Sequence, residues 1–380
     1  MSVVFINYSR ETFTPTHSGA ICTYIWELCR AAARAGASPQ VVSLASTQPP
    51  YSDVPTHFVA VPADPKSYVP FKLLRLRRKL TGWQHIRQWT FAFRVAGAIV
   101  RDGLAGGPFV LHNDPEVAVV LKSRFPGARV QLHLHNHLEC SPRFVRALQT
   151  SGVQVSAVSR FTADWVERFY GLEAGSVKAI YNGVDVERFR PLTDPAPGAP
   201  IIQFCGRTGI EKAPDLVLRA ALALAERTRG FRVRIIGWNS FGWFTQDAYQ
   251  TRLTELAEKL EALGIEVSRP GHVDRKMLPE MVRTGHIHVT PSRWDEPFGL
   301  TTLEGMASGL ATVGSRTGGT PEVIGEAGLL FERDDERGLA GCLEDLVCDD
   351  TARSRYRQLA LDRAASFSWD RTWQQLCATL

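Results

Sequence analysis

RWDEPFGLTTLEGMASG, residues 293–309, sets two carboxylates, Glu296 and Glu304, on either side of a Pro-Phe-Gly turn. On one helix they would share a face. Pro297 and Gly299 argue against one continuous helix, since proline restricts the residue before it and glycine marks special backbone geometry. With IHVTPS (287–292) in front, the stretch reads as strand, loop, and helix from about Leu300. That unit belongs to a parallel sheet flanked by helices.

The same unit recurs outward in both directions. PIIQFCG, RVRIIG, EVSRPGHV, ATVGS and GLLF are β-rich runs separated by helical spacing, and so are SVVFINY, QVVSL, HFVAV, PFVLH, RVQLHLH and VSAVS nearer the N-terminus. Between the two sets lies RPLTDPAPGAP (190–200), with four of the 22 prolines. The economical reading is two Rossmann-like α/β domains, 1–190 and 201–365, joined by a linker at 191–200. A C-terminal helix over about 366–380 is expected to pack back on the first domain. Ligands in such sheets bind beyond the carboxyl ends of the strands, so a cleft between facing domains is the expected site.

The 380 residues suffice for two or three domains, and 44% hydrophobic with 22% charged residues is ordinary for a soluble globular protein. No run approaches the roughly 18 apolar residues of a membrane span. MSVVFINYSRETF has neither the basic flank nor the cleavage site of a signal peptide. Seven scattered cysteines without a C-x-x-C pair read as reduced cytosolic thiols, not a disulfide frame or a zinc site. A net charge of +5 mildly favours anionic partners. A dinucleotide-binding dehydrogenase is disfavoured, because none of the 31 glycines stands two positions from another, as G-x-G requires.

FCGRTGIEKAPD (204–215) runs from a strand through a loop carrying Arg207 and Lys212 into a helix. An Arg fork and a Lys point charge on such a loop can hold a diphosphate, although most such residues are solvated surface charges. The helix beginning near Leu300 offers its N-terminal amides to an anion, and Glu304 can accept hydrogen bonds from vicinal hydroxyls such as those of ribose.

The segments FCGRTGIEKAPDLVLRA, RPGHVDRKMLPEMVRTGHIHVTPSRWDEPFGLTTLEGMASGLATVGSRTGGTPEVIGEAGLLF and IYNGVDVERFRP resemble the retaining nucleotide-sugar glycosyltransferases of family four, which have the GT-B fold. The likeness covers most of residues 155–375 and includes the family's Glu, seven residues, Glu signature. A chance pair of glutamates is weak evidence; embedded in EPFGLTTLEGMASG and followed by GGTPEVI, it is specific. The resemblance implies that Glu296 binds hydroxyls of the donor sugar and that the backbone amides of Phe298, Gly299 and Leu300 line the same sugar. Thr301 would lie near the distal phosphate and Glu304 would hold the ribose. Arg207 and Lys212 would neutralise the departing diphosphate, with Gly206 beside them on the donor side. Val273 falls where the family holds the base through backbone contacts. Gly19, in THSGA, occupies the glycine loop opening the first long helix, where the lack of a Cβ allows close approach of a phosphate or the acceptor.

In QLHLHNHLE, His133, His135 and His137 fall at strand alternation and are expected to share one face. A metal reading is set aside, because residues about seven ångströms apart along one strand do not surround an ion. The family carries one histidine at this strand's end, facing the reacting sugar carbon; HNH points to His135, with His137 as the fallback. A strand-end histidine that only packs is the plain alternative.

Glycosyltransferases that meet the leaving charge with a metal often carry two aspartates with one residue between, and no such pair occurs here. Arg207, Lys212 and helix N-termini are the fixed positive groups available, so metal-independent transfer without a cofactor is expected. Retention is the family's stereochemistry, and nothing in the sequence alone proves it. Two departures from the family pattern stand out: Ala213 replaces the glycine after the lysine, and IIGWNSFGWF replaces a glycine-rich strand end. Trp238, Phe241, Trp243 and Phe244 either widen the site wall or pack locally, so the base is open, with UDP expected.

Residues 66–101 mix Lys72, Arg75, Arg77, Arg78, Lys79 and Arg87 with apolar and aromatic side chains. Such a segment suits anionic lipid and a lipid-linked acceptor, an anionic soluble acceptor, or a solvated helix face. Nucleic acid is disfavoured, since no motif for it accompanies the charge. The expected location is cytoplasmic, with peripheral contact at the inner membrane face as one of the readings of residues 66–101. The reading is a glycosyltransferase moving a sugar to a hydroxyl of a glycan, glycolipid or small molecule, as in polysaccharide or glycoconjugate synthesis. A non-transferring nucleotide-sugar enzyme or a sugar-binding protein on the same fold is the alternative.

Overall fold

The computed structural model describes residues 1–15, 19–61, 87–193, 198–238 and 248–380. Lys72, Arg75, Arg77, Arg78 and Lys79 of the basic segment, and Phe241, Trp243 and Phe244 of the aromatic cluster, lie outside them. The chain divides into two compact units, Met1–Tyr181 with Trp369–Leu380, and Asn182–Ser368. Residues 190–200 thus fall within the second unit.

In the first unit the order is β1 (Ser2–Ile6), α1 (Ala20–Arg34), β2 (Ser38–Leu44), β3 (Thr56–Val59), α2 (described over 87–101), β4 (Phe109–His112), α3 (Pro115–Arg124), β5 (Val130–Leu134), α4 (Pro142–Ser151), β6 (Gln154–Ala157), α5 (Arg160–Tyr170) and β7 (Lys178–Ala179). The described strands form one parallel sheet in the order β3-β2-β1-β4-β5-β6-β7. Helices on both faces require strands apolar on both faces. In β1, Val4 and Ile6 join one core with Leu111 and Leu132, while Val3 and Phe5 join the other beneath α1. Ile21, Ile25 and Leu28 of α1 are buried there, each contributing about 1.5–3 kcal/mol of apolar transfer. The last helix of the chain, α13 (Trp369–Cys377), brings Trp369 and Trp373 into that second core.

The second unit runs β8 (Ile201–Cys205), a 3₁₀ turn (Ile210–Lys212), α6 (Pro214–Ala225), β9 (Arg232–Ile236), α7 (Ala248–Ala262), β10 (Val267–Gly271), α8 (Leu278–Val282), β11 (Ile287–Thr290), α9 (Leu300–Ala307), β12 (Ala311–Ser315), α10 (Thr320–Ile324), β13 (Leu329–Phe331), α11 (Glu336–Cys348) and α12 (Asp350–Ala365). Its described strands are again all parallel, in the order β10-β9-β8-β11-β12-β13. In both sheets the strand order reverses beside the first strand, at β1/β4 and at β8/β11. Ligands of doubly wound sheets bind beyond the carboxyl ends of the strands at such points. Among the described residues no helix is long and apolar enough to cross a membrane.

Candidate functional site

Residues following β8 and β11 build the centre of the second unit. After β8, Gly206 donates its N–H to Ile236 O at 3.0 Å, and the chain turns through Arg207 into the 3₁₀ turn. The turn ends on Ala213 at φ 53°, ψ 43°, a left-handed conformation that costs a residue with a Cβ roughly 1–2 kcal/mol. Ala213 is fully buried at the start of α6, so the residue replacing the family's glycine keeps the glycine-type backbone. That turn carries Lys212 back over the strand end. Its Nζ donates to both oxygens of Glu296, at 2.6 and 2.8 Å, and lies 5.1 Å from the centre of the Trp294 ring.

Glu296 stands on the loop between β11 and α9, its side chain only 7% exposed. Ser292 Oγ also donates to its Oε1. From behind, Gly319 N–H donates to Glu296 O at 2.6 Å, so the loop after β12 clamps the peptide of this glutamate. Gly318 makes that possible. It sits at φ +55°, and a Cβ there would lie 2.1 Å from Glu296 O. Phe298 is buried against Phe367, which leaves its backbone as its contribution to a site. Gly299, at φ 104°, ψ 63°, starts α9, and Leu300 and Thr301 follow half-buried in its first turn. The free amides of that turn favour an anion.

Glu304, one turn into α9, is buried with Oε1 paired to Arg275 Nη2 at 2.6 Å. Its Oε2 is buried and has no hydrogen-bond partner among the described residues. A buried acceptor without a donor costs about 1–3 kcal/mol, and a ligand hydroxyl would relieve it. Val273, after β10, packs half-buried against Cys205, Ile236 and Leu278. Arg207 is about half exposed and pairs with Glu211 at 3.5 Å. Trp238 is 66% exposed.

The structure therefore sets Glu296, Gly299, Leu300, Thr301 and Glu304 in one run of loop and helix start and brings Lys212 onto it from the loop after β8, whereas Arg207 of that loop pairs with Glu211. Sequence reasoning missed Arg275, Ser292 and Trp294. Serine and tryptophan flank the glutamate motif and were legible as neighbours. Arg275 stands in a polar loop with nothing to mark its pairing 29 positions on.

In the first unit, the histidine pattern differs from the expectation. Strand β5 ends at Leu134, so the alternation does not reach His137, whose ring stacks on Trp165 at 4.7 Å instead. His133 and His135 do share a side, both packed on Tyr24 at 5.2 and 4.6 Å. The His135 Nε2 and His112 Nδ1 atoms share a hydrogen bond of 3.0 Å, and the His135 N–H donates to Asn113 Oδ1 at 2.7 Å. Burial holds both imidazoles well below the usual histidine range, so His135 is a neutral ring. Beside them Asp114 accepts from Ser9 N and Oγ at 2.7 and 2.8 Å, and burial pushes its carboxyl up to about 7.

Gly19 is the N-cap of α1, as its glycine loop implies, but a carboxylate of the chain itself lies there. Glu11 Oε2 accepts from Cys22 N–H at 3.3 Å, and a Cβ on Gly19 would meet Glu11 Oε1 at 2.3 Å. Burial raises the Glu11 carboxyl. Among the described residues, no three His, Cys, Asp or Glu side chains gather as a metal site.

Two parallel-sheet α/β units, each with its charged groups beyond the strand ends at the switch point, define the GT-B class of transferase folds. Solved structures agree: a glycosyltransferase from Rickettsia africae superposes with a TM-score of 0.75 at 17% identity, covering 99% of this chain and 97% of that one. Anabaena HepE in complex with UDP gives 0.72 at 18% identity, covering 100% and 99%. At such identities the likeness concerns the fold. Residues 21–188 match the family model described as Glycosyltransferase Family 4, and residues 185–363 that described as Glycosyl transferases group 1. The chain belongs to this glycosyltransferase family. Among its relatives are D-inositol 3-phosphate glycosyltransferases of Corynebacterium glutamicum, 32% identical over 225 residues (54% of this chain, 52% of the relative), and of Saccharomonospora viridis, 32% identical over 225 residues (56% and 52%). The chain thus spans about half the length of the curated relatives it matches.

Proposed function

We propose that this protein transfers a sugar from a nucleoside diphosphate sugar, with UDP as the nucleotide, to an acceptor hydroxyl, with retention and without a metal. The observation that carries this is the pairing of Lys212 with the buried Glu296 on the loop before α9, eight positions ahead of Glu304, whose Oε2 has no partner among the described residues. A ribose hydroxyl would satisfy Glu304, sugar hydroxyls would engage Glu296, and the diphosphate would take Lys212, Arg207 and the α9 amides. Backbone contacts near Val273 would hold the base. Anabaena HepE, of the same fold, has been crystallised with UDP-glucose, which supports the choice of donor.

In the reaction the bond from the sugar carbon to the phosphate oxygen breaks and negative charge grows on that oxygen. Lys212, already held on Glu296, stabilises it with little reorganisation, and the half-exposed Arg207 of the same loop adds a second cation. The acceptor hydroxyl attacks from the same face, its oxygen bonds the sugar carbon, and its proton passes to the departing phosphate. Gly19 and the neutral ring of His135 belong to the first unit's acceptor side. A screen of purified protein against nucleotide sugars is expected to show consumption of a UDP-sugar; no binding or hydrolysis of any donor would overturn the reading.

Two predictions arise here. Glu296→Gln should lower turnover while sparing affinity for free UDP, and Glu304→Ala should weaken UDP by about tenfold or more, the worth of a charge-assisted hydrogen bond. Calorimetry on both variants checks the assignment, and equal loss of UDP affinity in the two would reverse it. Transfer should also persist in excess EDTA with no divalent ion added. Complete loss restored by manganese or magnesium would exclude the cation-only mechanism.

A further inference from the structure

A polar cavity lies at the end of the second unit's sheet away from Lys212 and Glu296. Gly198, Gly285 and His286, which precede β8 and β11, line it, whereas the donor-side residues follow those strands. It encloses about 300 Å³. Arg283, Arg353 and Arg357 line it, together with Ser308, Gly309 and Asp350.

Each arginine is anchored on one side by a backbone carbonyl. Arg283 Nη2 donates to Arg188 O at 3.1 Å, Arg353 Nη1 to Leu346 O at 2.7 Å and Arg357 Nη2 to Leu192 O at 3.0 Å. The side chains of Arg283 and Arg353 are 10% and 17% exposed. Among the described residues, Arg283 Nη1, Arg353 Nε, and Arg357 Nε and Nη1 have no acceptor. Ser308, the C-cap of α9, adds an independent sign: it is 1% exposed and its Oγ has no hydrogen-bond partner. A buried hydroxyl lining a polar cavity without a partner calls for an occupant. Gly309, at φ +73°, lets Arg357 approach, since a Cβ there would lie 3.3 Å from Arg357 Nε. Among the described residues, the carboxylate in the lining is Asp350, which pairs with Arg353 and is 86% exposed. Glu280, 63% exposed, also pairs with Arg283 Nη2 at 3.3 Å, so three guanidiniums face two solvated carboxylates; the balance stays cationic, and guanidinium forks match phosphate oxygens.

We propose that this cavity binds a phosphate-class dianion, as inorganic phosphate or as the phosphate of a small monoester, through Arg283, Arg353, Arg357 and Ser308. The inference does not depend on the donor reading. The two sites share α9, which begins beside Glu296 and ends on Ser308.

Calorimetric titration of the full chain at low salt in phosphate-free buffer, with inorganic phosphate in one arm and glycerol phosphate in the other, tests it. Binding in either arm is expected, and the tighter arm identifies the source. Arg353→Gln and Arg357→Gln should each weaken it about tenfold to a hundredfold. Ser308→Ala removes a group that bonds nothing, so it should leave the fold intact and weaken binding about two- to tenfold. Asp350→Asn should tighten binding, an outcome that no purely structural role of these arginines produces. No binding in either arm, or binding kept unchanged in folded Ser308→Ala, Arg353→Gln and Arg357→Gln, would overturn the proposal.

Discussion

Lys212→Ala and Arg207→Ala are each expected to lower turnover at saturating donor by about 10²–10³, the usual effect of removing one preorganised charge stabiliser. The two should differ in stability. Lys212 is 19% exposed and bonds the buried Glu296, so its loss strands a carboxylate with Ser292 as its remaining side-chain donor. Breaking a buried pair on one side destabilises strongly, by up to about 3–5 kcal/mol, and the melting temperature should fall. Arg207 is 49% exposed and its partner Glu211 is 41% exposed at 3.5 Å, so its loss should leave melting almost unchanged. Arg207→Ala is therefore the cleaner reading of the chemistry. Arg207→Lys should recover only part, since a point charge cannot reproduce a planar fork. A folded variant of either residue with near wild-type turnover would remove it from the leaving-group role.

Gly318→Ala is expected to abolish transfer without touching any charged side chain. The left-handed backbone alone costs an alanine roughly 1–2 kcal/mol. The added Cβ would lie 2.1 Å from Glu296 O and 2.5 Å from Glu296 N, both backbone atoms that cannot swing aside. Overpacking of this kind adds about 1–3 kcal/mol. The loop must shift, and with it the 2.6 Å hydrogen bond from Gly319 that holds the peptide of Glu296. A melting curve gives the stability loss, and turnover with donor affinity shows whether the glutamate was displaced. Unchanged melting and turnover would mean that the clamp is dispensable.

Much of the fold was legible because buried parallel strands write themselves as apolar runs. All four of Val3, Val4, Phe5 and Ile6 are buried, and the sequence shows them as one block. Strand β7 was not legible, because Lys178–Ala179 is too short for any pattern. The helix start at Leu300 followed from Pro297 and Gly299. Glu296 and Glu304 were visible through their motif, yet their partners were not: Lys212 lies 84 positions from Glu296 and meets it through tertiary folding alone. The carboxylate of Glu11 at the start of α1 escaped notice for a related reason. It reaches the helix end from eight positions before the N-cap, outside the local spacing of helix-capping residues. His137 was misplaced because alternation in sequence continues past the residue where the sheet hydrogen bonds stop.

The passage of α13 into the first unit also bears on how the protein is made. Trp369 and Trp373 complete a core many of whose other members, among them Phe5, Tyr24 and Val110, emerge from the ribosome more than two hundred residues earlier. The second unit, Asn182–Ser368, is one uninterrupted stretch and can close as soon as it is synthesised. The first must wait with part of its apolar face open until the last helix arrives. The unit begun first is finished last, and the nascent chain is exposed to aggregation and to chaperones on the side that α13 will cover.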